Sequence, residues 1–173
     1  LSSEGREPCL VFNNVGNWPA SATAKAAQDA VYIEVWPPYE RYHHLAQLIR
    51  EAKLCAKNEK PVILAAYLQP FRENDRRGAM TAAKLLTAAV VSNGASSLLT
   101  GESRAVLTQG YYSDYTKLTE DEARELRRYY DFQTRHGELF YSADMRDVSM
   151  THMGWDNYEY RCLSHQVSAD GEA

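Results

Sequence analysis

Four short apolar runs recur along the chain: CLVFNNV from Cys9, AVYIEVW from Ala30, PVILAAYL from Pro61 and SSLLTGE from Ser96. Each is too short for a helix and rich in β-branched or aromatic residues, which predicts four strands. The runs are near-continuously apolar rather than alternating, as strands are when both faces of a sheet are covered. Between them, apolar positions return at helical spacing. A short Ala-rich stretch starts near Ser21, YHHLAQLIREAKLCA starts at Tyr42, and GAMTAAKLLTAAVVSNG starts at Gly78. A last helix is predicted from Thr119 to about Leu139. Thr119 and Glu122 form a capping box, and Leu126, Tyr129, Tyr130 and Gln133 follow at helical spacing. Strands alternating with helices imply an α/β fold with a parallel sheet.

The predicted strands end in residues that a sheet interior does not need: Asn13 and Asn14, Glu34 and Trp36, Tyr67 and Gln69, and Glu102. In parallel α/β folds the C-terminal ends of strands are where ligands sit. No GxGxxG follows any strand and no GxxxxGK occurs, which counts against nucleotide-binding folds and favours a barrel of glycosidase type. A complete (β/α)8 barrel takes roughly 250 residues, so four βα units correspond to half of one.

Composition narrows the partners. At 45% hydrophobic and 24% charged, the 173 residues are ordinary for a globular domain, which argues against disorder. The net charge is -4 and no basic run occurs that would track a phosphate backbone, so nucleic acid is not an expected partner. The longest apolar stretches, Val62 to Leu68 and Leu85 to Val91, fall far short of the roughly 20 residues that span a bilayer. Cys9, Cys55 and Cys162 lie far apart with no CxxC pair, and free or buried thiols are expected. His43 and His44 are neighbours that project differently from a helix rather than forming an i, i+4 pair. No metal and no cofactor are expected. The opening LSSEGREPCLVF lacks the apolar core of a signal peptide.

Glycoside hydrolysis needs two carboxyl groups flanking the scissile bond. Glu34, in YIEVWPPY at a predicted strand end, is the first candidate; Tyr32, Trp36 and Tyr39 are near enough in sequence to give it apolar surroundings. An ion pair with an arginine is the structural alternative. Glu102, in LLTGES, is the second candidate, with backbone capping as its alternative. Asp147 and Asp156 follow the last helix and either shape a turn or reach back to the cleft. Trp18 and Trp36 offer flat faces for sugar rings or pack as core, and Asn13 or Asn14 offers an amide to sugar hydroxyls. Side-chain alternation lets only one of the two asparagines face the cleft. No GxSxG supports a serine nucleophile.

VFNNVG, YIEVWPPY, VILAAY, LLTGE, YYDF around Tyr129 and DVSMTHMGWDNYEY, in that order, resemble glycoside hydrolase family 66, the dextranases and cycloisomaltooligosaccharide glucanotransferases. The resemblance implies the last four units, strands 5 to 8, of a (β/α)8 TIM barrel over residues 1–145, with residues 146–173 following the barrel. It implies a retaining endo-hydrolase of α-1,6-glucosidic linkages in dextran, or a transferase that cyclises the same glucan. Glu34 takes the place of the acid/base. Asn13, Trp36, Tyr67 and Glu102 are offered as substrate-binding residues on position alone. The family's nucleophile, an aspartate ending the fourth strand, matches nothing here, so the N-terminal half of the barrel is expected to be missing from this chain. A non-catalytic glucan-binding fragment is therefore the alternative in another class. A polymeric substrate implies an extracellular or cell-surface location.

Overall fold

The computed structural model describes residues 8–57, 59–73, 75–108, 116–147 and 166–167. β1 (Val31–Val35) and β2 (Val62–Ala66) run parallel in register from Val31 opposite Val62 to Val35 opposite Ala66. β3 (Ser96–Ser97) adds in parallel on the far side of β2, giving the sequential order β1-β2-β3. α2 (Tyr42–Cys55) connects β1 to β2, and α3 (Arg76–Ser92) connects β2 to β3. This is the α/β alternation that the apolar runs predict.

The stretch from Cys9 does not form a strand. It reaches β1 through a single parallel bridge between Val15 and Glu34, with Glu34 N–H donating to Asn14 O and Gly16 N–H donating to Glu34 O, both at 2.8 Å. Two local causes keep the ladder from growing. Upstream, Leu10 N–H is taken by the Asp29 carboxylate at 2.6 Å and Phe12 N–H by the Gln28 amide oxygen at 3.2 Å. Downstream, Gly16 and Asn17 take φ of 63° and 58°, which turns the chain off the sheet.

The stretch from Ser96 is also shorter than its apolar run. Leu98 N–H still donates to Leu64 O at 2.8 Å, but beyond it Thr100 and Val106 pair as an antiparallel bridge closed by Gly101 N–H to Ala105 O at 2.8 Å. Ser103 and Arg104, both at positive φ, make the tip. Glu102 thus lies in a 3-10 turn of a tight hairpin rather than at the end of a strand.

Alternation along the strands divides the sheet. Val31, Ile33 and Val35, with Val62, Leu64 and Ala66, are buried in one cluster with Leu48, Ile49 and Ala52 of α2 and Ala83, Leu86 and Val90 of α3. Each fully buried Val, Leu or Ile side chain there is worth about 1.5–3 kcal/mol relative to exposure. The other face carries Tyr32 and Glu34 of β1 and Ile63, Ala65 and Tyr67 just beyond or within β2. Tyr32, Ile63 and Tyr67 are only half-buried, so the full cover that continuous apolar runs imply is found on the helix side.

α1 (Ala20–Thr23) is the short Ala-rich helix. α3 starts where the Asp75 carboxylate accepts Gly78 N–H at 2.9 Å. α4 (Glu120–Arg135) is capped as its sequence predicts: Thr119 Oγ1 accepts Glu122 N–H at 3.3 Å and Glu122 Oε2 accepts Thr119 N–H at 2.8 Å. The helix stops four residues before the predicted end. His136 leaves helical geometry at φ −111° and ψ 26°, and the helix restarts as α5 (Gly137–Phe140), the break falling beside a glycine that propagates helix poorly. α4 lies on α3 through Leu126 and through ion pairs from Arg76 to Glu122 and from Lys84 to Glu125, the latter at 2.8 Å. β4 (Arg146–Asp147) pairs antiparallel with β5 (Gln166–Val167). The rest of the 146–173 segment, including most of DVSMTHMGWDNYEY with Asp156, and Cys162, lies outside the described residues.

Candidate functional site

Glu34 is the fourth residue of β1 and sits in the interior of the sheet, between the Val15 bridge and β2. Both of its backbone groups are held by the 14–16 segment, so its side chain leaves a backbone tied through its N–H and its C=O alike. Only 3% of Glu34 is exposed, and the burial has to be matched by hydrogen bonds. Asn13 Nδ2 donates to Glu34 Oε2 at 3.3 Å, and the Tyr67 hydroxyl donates to Glu34 Oε1. The register explains the second contact. Glu34 pairs with Ala65, and Tyr67 stands two residues further along the same face of the chain.

Trp36, two residues after Glu34, meets Tyr67 edge-on with ring centroids 5.8 Å apart and planes at 78°, a favoured geometry for aromatic pairs. Three of the four residues offered by sequence as substrate contacts, Asn13, Trp36 and Tyr67, therefore gather with Glu34. Glu102 does not: it is exposed at its hairpin tip, and among the described residues no side-chain hydrogen bond or ion pair links it to this cluster. Trp18 is 80% exposed and stands apart from the core. Tyr39 packs against the core cluster and meets His44 edge-on at 6.0 Å, on the helix side rather than beside the carboxyl of Glu34.

A cavity of about 530 Å³ opens beside these residues, between the ends of β1 and β2 and the first turns of α2. Trp36 and Tyr67 line it together with Tyr39, Arg41, Tyr42 and Gln69. Glu34 is on the opposite face of β1 from Val35, which lines the cavity. Burial pushes the Tyr42 phenol above its ordinary range, so it stays a neutral hydroxyl on that wall.

Behind the carboxyl lies a polar network that sequence reasoning missed. Asn14 is buried and turns its amide to Asn17 Oδ1 at 3.2 Å and Thr23 Oγ1 at 3.1 Å, while Asn17 Nδ2 donates to Glu51 Oε2 on α2 at 3.2 Å. These bonds tie the turn after Val15 to α1 and α2 and so hold the segment that holds Glu34. The signal available in sequence was the Gly16-Asn17 pair, a turn dipeptide whose asparagine tolerates left-handed backbone.

His43 and His44 do not point apart as neighbours on a helix were expected to do. Their rings are in contact with centroids 4.2 Å apart, because His44 folds back over the start of α2, where Nδ1 accepts Glu40 N–H at 3.1 Å and Arg41 N–H at 3.3 Å. Among the described residues no three His, Cys, Asp or Glu side chains gather as a metal site.

A family model for glycosyl hydrolase family 66 matches residues 3–166. The chain belongs to that family. A search of curated protein sequences returns no match. Membership in glycosyl hydrolase family 66 makes glycoside hydrolysis the activity at family level and a polysaccharide the class of substrate. It also gives the buried carboxyl of Glu34 a chemical context, since a glycosidase works through carboxyl groups.

Proposed function

We propose that this chain forms part of the catalytic barrel of a retaining, dextranase-like endo-hydrolase of α-1,6-glucosidic linkages, with Glu34 as the acid/base. The observation that carries the reading is the carboxyl of Glu34, buried at the C-terminal end of a parallel strand and held by Asn13 and Tyr67. The sequential parallel order of the Val15 bridge, β1, β2 and β3, with helices on one side, supports this reading, being compatible with neighbouring sectors of a (β/α)8 barrel. In this reading they are strands 5 to 8.

Glu34 first protonates the glycosidic oxygen while a partner carboxylate attacks C1, which releases the leaving chain as an alcohol and forms a glycosyl-enzyme. Glu34, now ionised, then takes a proton from water as that water displaces the partner carboxylate. A retaining enzyme holds its two carboxyl groups only about 5 Å apart, so the nucleophile must come from a strand end close to that of β1. By the family resemblance it is an aspartate on a preceding strand, supplied from outside these 173 residues. Asn13 and Trp36 meet the substrate, Asn13 through its amide and Trp36 through its ring. A polymer of this size is met outside the cell, which places the protein at the surface or in the medium.

The test is reducing-sugar release from dextran by the full-length protein beside its Glu34→Gln and Glu34→Gly variants. Both variants are expected to lose roughly 100-fold or more, the scale of general acid–base catalysis. Azide added to Glu34→Gly should yield a glucosyl azide of retained configuration. Undiminished cleavage by Glu34→Gln would assign the acid/base role elsewhere. Turnover by the 173-residue chain alone, abolished by Glu34→Gln, would place the nucleophile within it.

A further inference from the structure

A carboxyl that must deliver a proton in one half-reaction and collect one in the next has to present the same oxygen both times. The torsion that turns a glutamate's carboxyl is broad and nearly two-fold, so the side chain alone does not set which oxygen that is. We propose that Tyr67 is the positioning residue that fixes the carboxyl of Glu34 in both protonation states, leaving Oε2 to exchange the proton with the sugar. The inference rests on the reading of Glu34 as the acid/base.

Three features support it. The Tyr67 hydroxyl donates to Oε1, which is an acceptor in the carboxylate and again, as the carbonyl oxygen, in an acid protonated at Oε2, so this one contact survives a change in the charge of Glu34. Asn13 Nδ2 donates to the other oxygen, Oε2, at 3.3 Å, at the long end of the hydrogen-bond range. The phenol is itself positioned, because Trp36 meets its ring edge-on and because Ala65, whose position pairs with Glu34, puts only a methyl group on the face between the two side chains.

The experiment compares two leaving groups in the full-length protein. Dextran has a sugar alcohol to expel and needs the proton; an isomaltosyl fluoride expels fluoride and does not. In Tyr67→Phe, which keeps the ring and its contact with Trp36, kcat on dextran should fall roughly 10- to 100-fold with KM within about twofold, a fraction of the whole acid–base effect. On the fluoride the first turnover should keep its rate, and a burst of fluoride equal to the enzyme should appear as the base-assisted second step becomes limiting. Unchanged kcat on dextran would overturn the proposal. So would a raised KM at constant kcat, which would make Tyr67 a sugar contact, and so would an equal loss in the first turnover of both substrates. Glu34→Gln, run in parallel, separates the two levels. If it still cleaves dextran, the acid/base assignment falls; if it is inactive while Tyr67→Phe is normal, only the positioning role falls.

Discussion

Asn13 and Asn14 are adjacent in sequence and send their amides to opposite sides of the chain, Asn13 to the carboxyl of Glu34 and Asn14 to Asn17 and Thr23. The pair joins the site to its scaffold within one peptide unit. Asn14→Ala leaves buried partners unsatisfied and should lower stability by about 1–3 kcal/mol in denaturant unfolding. Asn13→Ala, at an exposed position, should cost less stability than Asn14→Ala and act on catalysis as well. Equal destabilisation by the two would contradict this division.

Asn17 combines a buried amide with φ of 58°. Asn17→Gly and Asn17→Ala both lose the bonds to Asn14 and Glu51, but only alanine must also hold a Cβ in the left-handed region. Asn17→Ala should therefore be the less stable of the two by about 1 kcal/mol. Urea midpoints of the two variants decide it, and the reverse order would mean that the turn relaxes out of the left-handed region.

The hydrogen bonds from Arg76 hold the Glu122 carboxyl below the usual carboxylate range, against a smaller opposing effect of desolvation, with Thr119 adding to the lowering. A carboxyl whose folded value lies below its unfolded one adds stability above the unfolded value, about 4.3, and that stability is lost as pH falls through the folded value. Stability of the protein measured from pH 6 down to pH 3 should accordingly fall more steeply than that of Glu122→Gln. Parallel curves would show that the pair contributes nothing that depends on charge.

Gly94 and Gly101 make a contrasting pair. At Gly94 φ is +74°, and a Cβ would come within 2.2 Å of Lys53 Nζ and 2.9 Å of Phe140 O, the second of which is backbone and cannot swing away. At Gly101 φ is negative and a Cβ meets nothing within 4 Å. Gly94→Ala should cost more than about 1 kcal/mol, whereas Gly101→Ala should be neutral or stabilise by up to about 1 kcal/mol through the unfolded chain. Thermal melts of the two variants check the difference.

The elements that the sequence made legible are those whose signal is local. The helices starting near Tyr42 and Gly78, the capping box at Thr119 and the strands at Val31 and Val62 follow from apolar spacing within a dozen residues. What escaped depends on partners outside the run itself. The run at Cys9 has a strand's composition, but its amides are claimed by Gln28 and Asp29, and nothing in VFNN announces that. The run at Ser96 reads as a strand to Glu102, yet a hairpin closes from Gly101 to Ala105. Of the site, Glu34 was legible from its place near the end of an apolar run, and the family motifs carried the same residue. That Tyr67 bonds Glu34 required the register of β1 on β2, and that Glu51 supports Asn17 required the packing of α2, neither of which is written in any short window.

In β1 the core and the candidate site occupy alternate residues of the same five. Ile33 and Val35 face the helices, and Glu34 faces the other way. One inserted residue anywhere between Val31 and Glu34 would exchange the two faces, putting an isoleucine or valine where a carboxyl is wanted and a glutamate among aliphatic side chains. Length changes inside this strand are thus forbidden by folding and by chemistry at once. The loop between Trp36 and Tyr42, which lines the neighbouring cavity, has no such alternation to keep.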